Sequence, residues 1–264
     1  MTQESYNVFS TSERPVGTWI SIGHPVVAEV TAELGLDFLL IDLEHTPIDL
    51  QTVENMIRAV EATGSETQVV VRVADNDPVR LKQILDTGIS TVMVPMIETS
   101  GEARDLVDAV KYPPEGIRGV ASGRATGYGR DFEEYVETVN ARISTIVQVE
   151  TLTGLENVEE IADVAGVDAL FVGPSDLSAS LGLFGDRSAD EFDEAVERIV
   201  AAGRSADVPV GTLSVDPDGI ERCVRRGFDF LIVGKDTASL ATATMDAKDR
   251  FERAIDQETP AETE

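Results

Sequence analysis

Short runs of apolar and β-branched residues alternate along the chain with longer stretches in which apolar residues recur every three or four positions. The short runs have the composition of buried strands, and the spacing in the longer stretches is that of amphipathic helices. The eight predicted strands cover residues 17–22, 38–41, 68–73, 91–94, 143–149, 169–172, 208–213 and 230–233. The clearest helical patterns cover residues 50–63, 78–87, 101–110, 189–205, 217–226 and 239–255. Such alternation is typical of a parallel sheet covered by helices.

Residues that start and stop helices stand at the edges of these stretches. Asp77-Pro78 and Asp216-Pro217 each place an acidic capping residue before a proline, whose restricted φ suits the first helical turn. A glycine then leads from a helix into several of the strands, which predicts helix C-caps. These glycines are Gly35, Gly88, Gly166 and Gly227.

Eight strands with eight crossovers predict a (β/α)8 TIM barrel, and the alternative is an open doubly wound sheet. The barrel is favoured because no Gly-x-Gly-x-x-Gly turn follows the first strand. The 264 residues, 42% of them hydrophobic, suffice for one barrel of this kind. We predict an N-terminal extension at 1–14, the barrel domain at 15–255 and a disordered acidic tail at 256–264, because the tail has no large apolar residue.

The charge balance is strongly acidic. The chain has 21 lysine and arginine residues against 49 aspartate and glutamate residues, a net charge of −28. This charge repels nucleic acids and anionic lipid surfaces, so we predict neither as a partner, and it suits solubility in a salty cytoplasm. Residues 1–14 do not resemble a secretory signal, no apolar run has the length of a membrane span, and Cys223 is the only cysteine. A cytoplasmic location is therefore expected.

Charged residues follow several of the predicted strands, at the end where a parallel barrel carries its active site. Asp42, Glu44 and His45 follow the second strand, and Arg72 lies at the end of the third. Buried charges are costly unless they are paired or bind a metal, so these side chains are expected to converge. His45 is a candidate general base with Asp42 as its partner, although it could instead cap the loop.

Arg72 is a candidate for binding a carboxylate or an enolate oxygen. Its alternative role is an ion pair with Glu44 or Asp42 inside the barrel, and the two roles are compatible. His24, after the first strand, is a weaker candidate base because no acidic residue lies beside it in the sequence.

Glu150 follows the fifth strand and Asp176 follows the sixth, so two carboxylates can meet at the same end of the barrel. Oxygen ligands without a cysteine or histidine cluster favour Mg²⁺ or Mn²⁺, with Co²⁺ also possible, over zinc. Two carboxylates leave room for a chelating substrate such as a 2-oxo acid. The alternative is that Glu150 caps a helix and Asp176 pairs with an arginine.

Two further features have competing interpretations. Lys235 follows the eighth strand and could form a Schiff base with a ketone. We rank this second because Asp236 beside it favours the charged, unreactive lysine. The long glycine-rich segment 111–132, which contains Arg124, is interpreted as a lid over the site rather than a connector.

Several phrases together resemble the HpcH/HpaI aldolases, the class II pyruvate aldolases, from about Gly17 to Ala247. They are Ile41-Asp42-Leu43-Glu44-His45, Asn76-Asp77-Pro78-Val79 through Lys82-Gln83-Ile84-Leu85-Asp86-Thr87-Gly88, Val94-Pro95-Met96, Tyr112-Pro113-Pro114-Glu115-Gly116-Ile117-Arg118-Gly119, Gln148-Val149-Glu150 and Gly173-Pro174-Ser175-Asp176-Leu177-Ser178. The resemblance implies a metal-dependent (β/α)8 barrel of the phosphoenolpyruvate/pyruvate superfamily. It implies cleavage of 4-hydroxy-2-oxo acids to pyruvate and an aldehyde.

The resemblance also implies roles for individual residues. Glu150 and Asp176 would bind the divalent metal, His45, oriented by Asp42, would act as the base, and Arg72 would hold the ketone oxygen of pyruvate. Asp86 matches an acid that reaches a neighbouring subunit's site in relatives, which are commonly hexamers with an exchanged last helix. The residues expected to contact substrate are Arg72, Gln148, Gly173, Ser175 and Leu213.

Two departures from the family pattern concern the choice of aldehyde. The segment around Arg124 differs from the serine-alanine-arginine phrase of relatives, and Lys235 stands where many relatives have an uncharged or smaller residue. Two rival functions remain open at this point: an acyl-CoA lyase of the same superfamily, and a barrel that binds 2-oxo acids without turnover.

Overall fold

The computed structural model describes Val8 and residues 13–184 and 189–258, which form a closed barrel of eight parallel strands. The strands are β1 (Val16–Ile20), β2 (Phe38–Asp42), β3 (Gln68–Arg72), β4 (Thr91–Val94), β5 (Ser144–Val149), β6 (Ala169–Val172), β7 (Val210–Leu213) and β8 (Phe230–Lys235). Each strand pairs with its successor, and β8 pairs with β1. The TIM-barrel prediction is confirmed, and the open-sheet alternative is wrong.

Helices connect the strands and cover the outside of the barrel. They are α1 (Pro25–Ala32), α2 (Leu50–Thr63), α3 (Pro78–Leu85), α4 (Ser100–Val110), α5 (Phe132–Thr138), α6 (Leu152–Glu156), α7 (Val158–Ala162), α8 (Pro174–Ser180), α9 (Asp190–Ala206), α10 (Pro217–Arg226) and α11 (Asp236–Glu258). Short 3₁₀ turns occupy Arg124–Gly129 and Val139–Ala141. None of the helices in the described ranges has the length and apolar character needed to span a membrane.

The local capping signals act as predicted. Asp77 accepts hydrogen bonds from the backbone N–H groups of Val79 and Arg80, and Asp216 accepts one from Gly219. The four predicted C-cap glycines all have a positive φ, the conformation that ends a helix at little cost only for glycine. Their φ angles are 72° at Gly35, 101° at Gly88, 98° at Gly166 and 82° at Gly227.

Strand residues that alternate in direction build two apolar layers. Trp19, Leu40, Phe171 and Ile232 belong to the cluster inside the barrel, while a larger cluster lies between the strands and the helices. The Phe171 ring lies 6.2 Å, centroid to centroid, from the Trp19 ring. Val8 is 1% exposed and also packs in the inner cluster. The packed interior places the open, polar part of the barrel at the strand ends.

The boundaries predicted for the domain are tested only in part. The final helix runs from Asp236 to Glu258, so residues 256–258 continue the helix instead of belonging to the tail. The helix begins earlier than predicted, at Asp236, whose carboxylate is held by the backbone N–H groups of Ser21 and Ile22. The predicted tail residues 259–264 and residues 1–7 and 9–12 of the predicted extension lie outside the described residues.

The segment 111–132 does not cover the expected site of its own chain. It runs from the end of α4 to the start of α5, within the connection that leads to β5, and this connection reaches β5 at the amino-terminal end of the strand. Arg124 donates hydrogen bonds to the carbonyl oxygen of Thr87 and to Glu61, and the N–H of Ala125 bonds to the carbonyl oxygen of Asp86. The lid interpretation is therefore wrong for a single chain, because active-site loops of a barrel follow strands instead of preceding them.

Candidate active site

Four strands deliver charged side chains to the carboxyl end of the barrel. Asp42 is the last residue of β2 and Arg72 is the last residue of β3, paired with it in register. Glu150 directly follows β5, and Asp176 lies in the first turn of α8, after β6. Parallel strands have their carboxyl ends on one face, so residues far apart in sequence meet there.

Arg72 is held by a bidentate ion pair with Asp42. Its Nε and Nη2 atoms donate to Oδ1 and Oδ2 of Asp42, each at 2.9 Å. The indole N–H of Trp19 also donates to Asp42 Oδ2 at 3.3 Å, and the Arg72 guanidinium lies 4.4 Å from the Trp19 ring centroid. Burial by itself raises the pKa of Asp42, but the hydrogen bonds and charge of Arg72 outweigh it, so the pKa lies below its ordinary value.

Glu44 and His45 lie on the other side of the guanidinium. Glu44 Oε2 is 2.7 Å from Arg72 Nη1, but without hydrogen-bond geometry, and this buried oxygen has no hydrogen-bond partner among the described residues. Burial raises the pKa of Glu44, and the charge of Arg72 opposes that rise. His45 Nε2 is 3.7 Å from Glu44 Oε1, and the imidazole is 67% exposed.

The structure differs from the prediction that Asp42 orients the His45 ring. Asp42 Oδ1 accepts the backbone N–H of His45 at 3.5 Å and that of Glu44 at 3.0 Å. Its carboxylate is otherwise engaged by Arg72 and Trp19, so the acidic neighbour of the imidazole is Glu44. The ion-pair role considered for Arg72 is confirmed.

Glu150 is a buried carboxylate with few compensating partners. It is 3% exposed; Oε1 accepts the backbone N–H of Met96 at 2.9 Å, and Oε2 accepts the side-chain N–H of Gln148. Burial raises the pKa of Glu150 to about 7, and the charges of Glu44 and Asp176 act in the same direction. The pocket therefore stabilises the ionised carboxylate poorly unless a cation is close to it.

Gly173 makes room for this carboxylate. A Cβ atom at this position would lie 2.5 Å from Glu150 Oε2 and 2.8 Å from Gln148 Nε2, closer than real Cβ contacts. Any other residue would push the two side chains apart. The absence of a side chain at Gly173 therefore allows Glu150 and Gln148 to lie next to each other.

The remaining predicted contacts lie around the same opening. Asp176 and Ser175 are exposed at the start of α8, whereas Gln148 is buried. Gln148 Oε1 is a buried oxygen without a hydrogen-bond partner among the described residues. Leu213 ends β7 and packs against the inner apolar cluster. The structure therefore brings these residues to one end of the barrel.

The donor set fits a divalent cation. Asp42 and Glu44 lie against the guanidinium of Arg72, and the charge of Asp176 raises the pKa of both Glu44 and Glu150. An added cation would relieve this repulsion, and carboxylate oxygens are ligands that Mg²⁺ and Mn²⁺ prefer. Among the residues described, no group of three or more histidine, cysteine, aspartate and glutamate side chains is arranged to hold a metal ion.

Asp86 lies away from this site. It caps the C-terminus of α3, at the amino-terminal end of the barrel, where its Oδ1 accepts from Arg118 Nη2 at 2.9 Å. The Arg118 guanidinium is buried and lies 4.5 Å from the Tyr112 ring centroid. A helix of a (β/α) unit returns to the start of the next strand, so Asp86 cannot reach the Glu150 site of its own chain.

The structure also shows where the two alternative catalytic candidates, His24 and Lys235, lie. His24 caps α1, and its Nδ1 accepts the backbone N–H of Val26 at 3.2 Å. Lys235 is the last residue of β8, which extends two residues beyond its predicted end at Val233, and among the described residues Asp236 does not pair with it. The Asp236 carboxylate instead accepts backbone N–H groups of Ser21 at 2.9 Å and Ile22 at 2.7 Å. The expected pairing of Asp236 with Lys235 is therefore absent from the described structure.

Sequence reasoning missed Trp19 and Met96. Trp19 is the only tryptophan, and a buried indole N–H needs an acceptor, which was a usable signal for its contact with Asp42. Met96 has a φ of 57°, a left-handed conformation that is unfavourable for residues other than glycine. This conformation lets its N–H reach Glu150, and nothing in the local sequence predicts it.

Three proteins of assigned activity are similar to the chain over most of their length. A 4-hydroxy-2-oxovalerate aldolase of Novosphingobium aromaticivorans is 42% identical, with 92% of this chain and 93% of the relative covered. A 2-dehydro-3,6-dideoxy-6-sulfogluconate aldolase of Pseudomonas putida is 40% identical, covering 86% and 88%. A 4-hydroxy-2-oxo-heptane-1,7-dioate aldolase of Shigella sonnei is 39% identical, covering 94% and 95%.

A solved structure and a family model agree with these similarities. The crystal structure of an HpcH/HpaI aldolase/citrate lyase family protein from Burkholderia cenocepacia has a TM-score of 0.89 and is 38% identical, with 92% of this chain and 96% of that chain covered. Residues 16–243 match the model of the HpcH/HpaI aldolase/citrate lyase family, a range that contains all eight strands. The chain therefore belongs to the HpcH/HpaI aldolase/citrate lyase family.

Proposed function

We propose that the protein is a divalent-metal-dependent aldolase that reversibly cleaves a 4-hydroxy-2-oxo acid to pyruvate and an aldehyde. The observation that carries this proposal is the mutual repulsion of three carboxylates, Glu44, Glu150 and Asp176, with the pKa of buried Glu150 raised to about 7. Such a site is short of positive charge. It can take up a divalent cation and then bind an anionic 2-oxo acid.

Glu150 and Asp176 are the residues that would hold the metal, which we expect to be Mg²⁺ or Mn²⁺, with Co²⁺ also possible. When bound, a divalent ion acts as a Lewis acid on the carboxylate and ketone oxygens of pyruvate. Gln148 keeps Glu150 in place through its side-chain N–H, and Met96 does so through its backbone N–H. Gly173 leaves the space in which this arrangement fits.

Arg72 stabilises the charge that develops on the substrate. Asp42 takes up the Nε–H and one Nη2–H group, so further Nη–H groups remain for a substrate oxygen. The ion pair fixes the guanidinium before substrate binds, which lowers the cost of reorganisation during the reaction. Arg72 would therefore bind the C2 oxygen as it becomes an enolate.

His45 is the residue that we assign to proton transfer. Its imidazole is largely exposed at the opening and lies beside Glu44, which can hold the ring. In cleavage, the base takes the C4 hydroxyl proton, the C3–C4 bond breaks, and its electron pair becomes the enolate of pyruvate. In synthesis, the base removes a C3 proton from pyruvate.

Similar proteins support the reaction class. The three relatives compared above are all named as aldolases, and their named substrates are oxo or dehydro-sugar acids. They share about 40% identity with this chain over most of its length. The three relatives are named for different substrates, so the similarity does not identify the aldehyde that this protein uses.

Release of pyruvate from 4-hydroxy-2-oxopentanoate after metal removal and metal restoration tests this proposal. Activity should disappear after chelation and return with Mg²⁺ or Mn²⁺. Glu150→Gln and Asp176→Asn should each lower it by more than about 100-fold. Glu159→Gln is the matched control, because Glu159 pairs with Arg198 on the surface. Cleavage that persists undiminished after thorough chelation contradicts the proposal, and pyruvate binding without turnover would indicate a non-catalytic barrel.

We further propose a homo-oligomer in which α11 packs on a neighbouring subunit. Leu240, Met245, Phe251 and Ile255 are exposed on this helix, and Val26 and Val30 are exposed on α1. Apolar patches of this kind are typical of interfaces. Asp86 would then face a neighbour's site, in the hexamer that the family resemblance implies.

Light scattering of the purified protein tests the oligomer. Phe251→Glu should shift the protein to smaller species because a charge cannot be buried in an apolar interface. Glu252→Ala, next to it on α11 and paired with Lys248, is the control and should leave the mass unchanged. A monomeric wild-type protein would contradict the proposal.

Small-molecule 2-oxo acids and aldehydes are the partners that this function requires. The cytoplasmic location stays a prediction from the sequence, which rests on the single cysteine and the acidic composition. Fractionation of the source cells, with a cytoplasmic marker enzyme as the reference, would test it.

A further inference from the structure

The pairing between β1 and β8 contains a β-bulge at the rim of the site. Gly17 pairs with Ile232, and the next residue, Thr18, pairs with Gly234, so Val233 is an extra residue in β8. Ile232 belongs to the cluster inside the barrel, whereas Val233 packs against the outer cluster. A bulge changes which side of the sheet the following residues face.

The bulge brings Lys235 to the inner side of the barrel. In a regular strand, alternation from Ile232 would place Lys235 on the outer side. In the observed register, Gly234 pairs with Thr18 and Lys235 pairs with Trp19, a member of the inner cluster. A Cβ on Gly234 would lie 2.8 Å from Thr18 Oγ1, as expected if these two positions face the same way.

This position is one strand away from the reacting groups. Trp19 donates to Asp42 and lies under the guanidinium of Arg72. Neighbouring strands are about 4.8 Å apart, so the backbone of Lys235 stands beside the residue that supports Arg72. The long lysine side chain can therefore extend over the opening of the barrel.

Lys235 is half-buried, and its positive charge has no partner among the described residues. Across the residues described, its ammonium has no hydrogen bond and no ion pair, although the chain has 49 acidic residues. The nearest acid in sequence, Asp236, is occupied by the backbone N–H groups of Ser21, Ile22 and Thr237. An ammonium without a partner, on a half-buried residue, is available to bind an anion.

We propose that Lys235 binds an anionic group on the aldehyde half of the substrate and makes the enzyme prefer aldehydes with a carboxylate, sulfonate or phosphate. This inference rests on the proposed aldolase function. Glu150, Asp176 and Arg72 serve the pyruvate half, so the aldehyde half has to extend elsewhere in the opening. The carboxylates there repel an anionic aldehyde, and Lys235 offsets that repulsion. Its ammonium is a point charge on a flexible stem, which suits all three anions.

The test compares aldehydes of matched size in pyruvate addition. The pairs are 4-oxobutanoate with butanal, and glyceraldehyde 3-phosphate with glyceraldehyde. Lys235→Met should lower kcat/KM for the better anionic aldehyde by roughly 10- to 100-fold, the loss expected from one charged hydrogen bond. It should leave the neutral aldehydes within about twofold. Lys235→Arg should retain most of the preference, and Lys248→Met is the control on an exposed lysine paired with Glu252.

Exchange of the C3 protons of pyruvate with deuterium separates this inference from the function on which it rests. If exchange requires the divalent metal in wild type and persists in Lys235→Met, the aldolase function is supported. The comparison of aldehydes then decides the role of Lys235. The role of Lys235 is overturned if the ratio of kcat/KM for anionic aldehydes to kcat/KM for neutral ones is the same in Lys235→Met as in wild type. Loss of exchange in Lys235→Met, with borohydride trapping of pyruvate on wild type, would overturn it in favour of a Schiff base. Wild-type protein without exchange or addition overturns both proposals.

Discussion

Arg72 binds both carboxylate oxygens of Asp42, with Nε–Oδ1 and Nη2–Oδ2 distances of 2.9 Å. The two residues end neighbouring strands and are paired in register, so the ion pair joins β2 to β3 at the site. Both side chains are almost completely buried. Each therefore has to be balanced by the other, since a single buried charge is expensive.

Asp42→Asn should lower the free energy of unfolding by about 3 kcal/mol at neutral pH, the usual cost of breaking a buried ion pair. The pKa of Asp42 lies below its ordinary value of 3.8 in the folded protein. Its stabilising contribution is therefore complete above pH 3.8 and is lost as the pH falls through the folded-state pKa. Urea unfolding of both proteins over a pH series measures the difference.

The difference between wild type and Asp42→Asn should shrink in acid. Asp105→Asn, at an exposed position on α4, serves as the control and should match wild type at every pH. A difference that stays constant down to the most acidic buffer in which both proteins fold would show that Asp42 is not stabilised as its carboxylate.

Gly173→Ala should damage the site while leaving the barrel folded. The added Cβ would meet Glu150 Oε2 at 2.5 Å and displace this carboxylate from Gln148. We expect metal affinity or activity to fall by roughly 10- to 100-fold, as for other changes that misplace a ligand. Calorimetric titration with Mn²⁺ measures the affinity. In the control, Gly101→Ala, the nearest neighbour of the new Cβ is at an ordinary 3.6 Å; equal affinities for the two variants would contradict the prediction.

Met96→Val should destabilise the protein by about 1–2 kcal/mol, because a β-branched residue tolerates the left-handed conformation poorly. Met96→Gly should retain stability and activity, because glycine adopts a φ of 57° freely and keeps the N–H that donates to Glu150. The side chain itself is 53% exposed, so its removal costs little burial. Thermal unfolding and the Mn²⁺ affinity compare the two variants. The prediction is wrong if they are equally stable.

The melting temperature should rise when salt is added. The net charge of −28 makes the folded chain repel itself, and the screening length falls from about 10 Å at 0.1 M salt to about 3 Å at 1 M. For a protein of this size, each kcal/mol gained raises the melting temperature by roughly 2–4 °C. Scanning calorimetry in dilute and molar KCl measures it, with sucrose at equal osmolality as an uncharged control. An unchanged melting temperature in KCl would contradict the prediction.

Much of the fold could be predicted from local patterns. The helix at Leu50–Thr63 and the strands at Thr91–Val94 and Ala169–Val172 have the predicted bounds. The acids after β5 and β6 were identified as neighbours because all strands of a parallel barrel end on one face. The predicted ends of helices and strands were wrong where contacts with distant residues decide them. The start of α11 is an example, because the Asp236 carboxylate binds the backbone N–H groups of Ser21 and Ile22 at the end of β1.

The local sequence pattern could not predict which charged side chains pair with each other within the site. Asp42 stands three residues before His45 in the sequence, but its carboxylate binds Arg72, which is 30 residues away. The register of β2 and β3 brings the two together. Sequence distance favoured the nearer residue, whereas the bidentate geometry of a guanidinium favours the one that the sheet presents.

The sequence by itself determined the alternation of strands and helices, the caps and the charged residues at strand ends, because these depend on interactions within a few residues. Only the tertiary structure decided that Met96 turns its N–H to Glu150, that a bulge brings Lys235 to the inner side and that residues 111–132 lie at the opposite end from the site. These features depend on register and on contacts between distant strands. Their energies arise only once the barrel has closed.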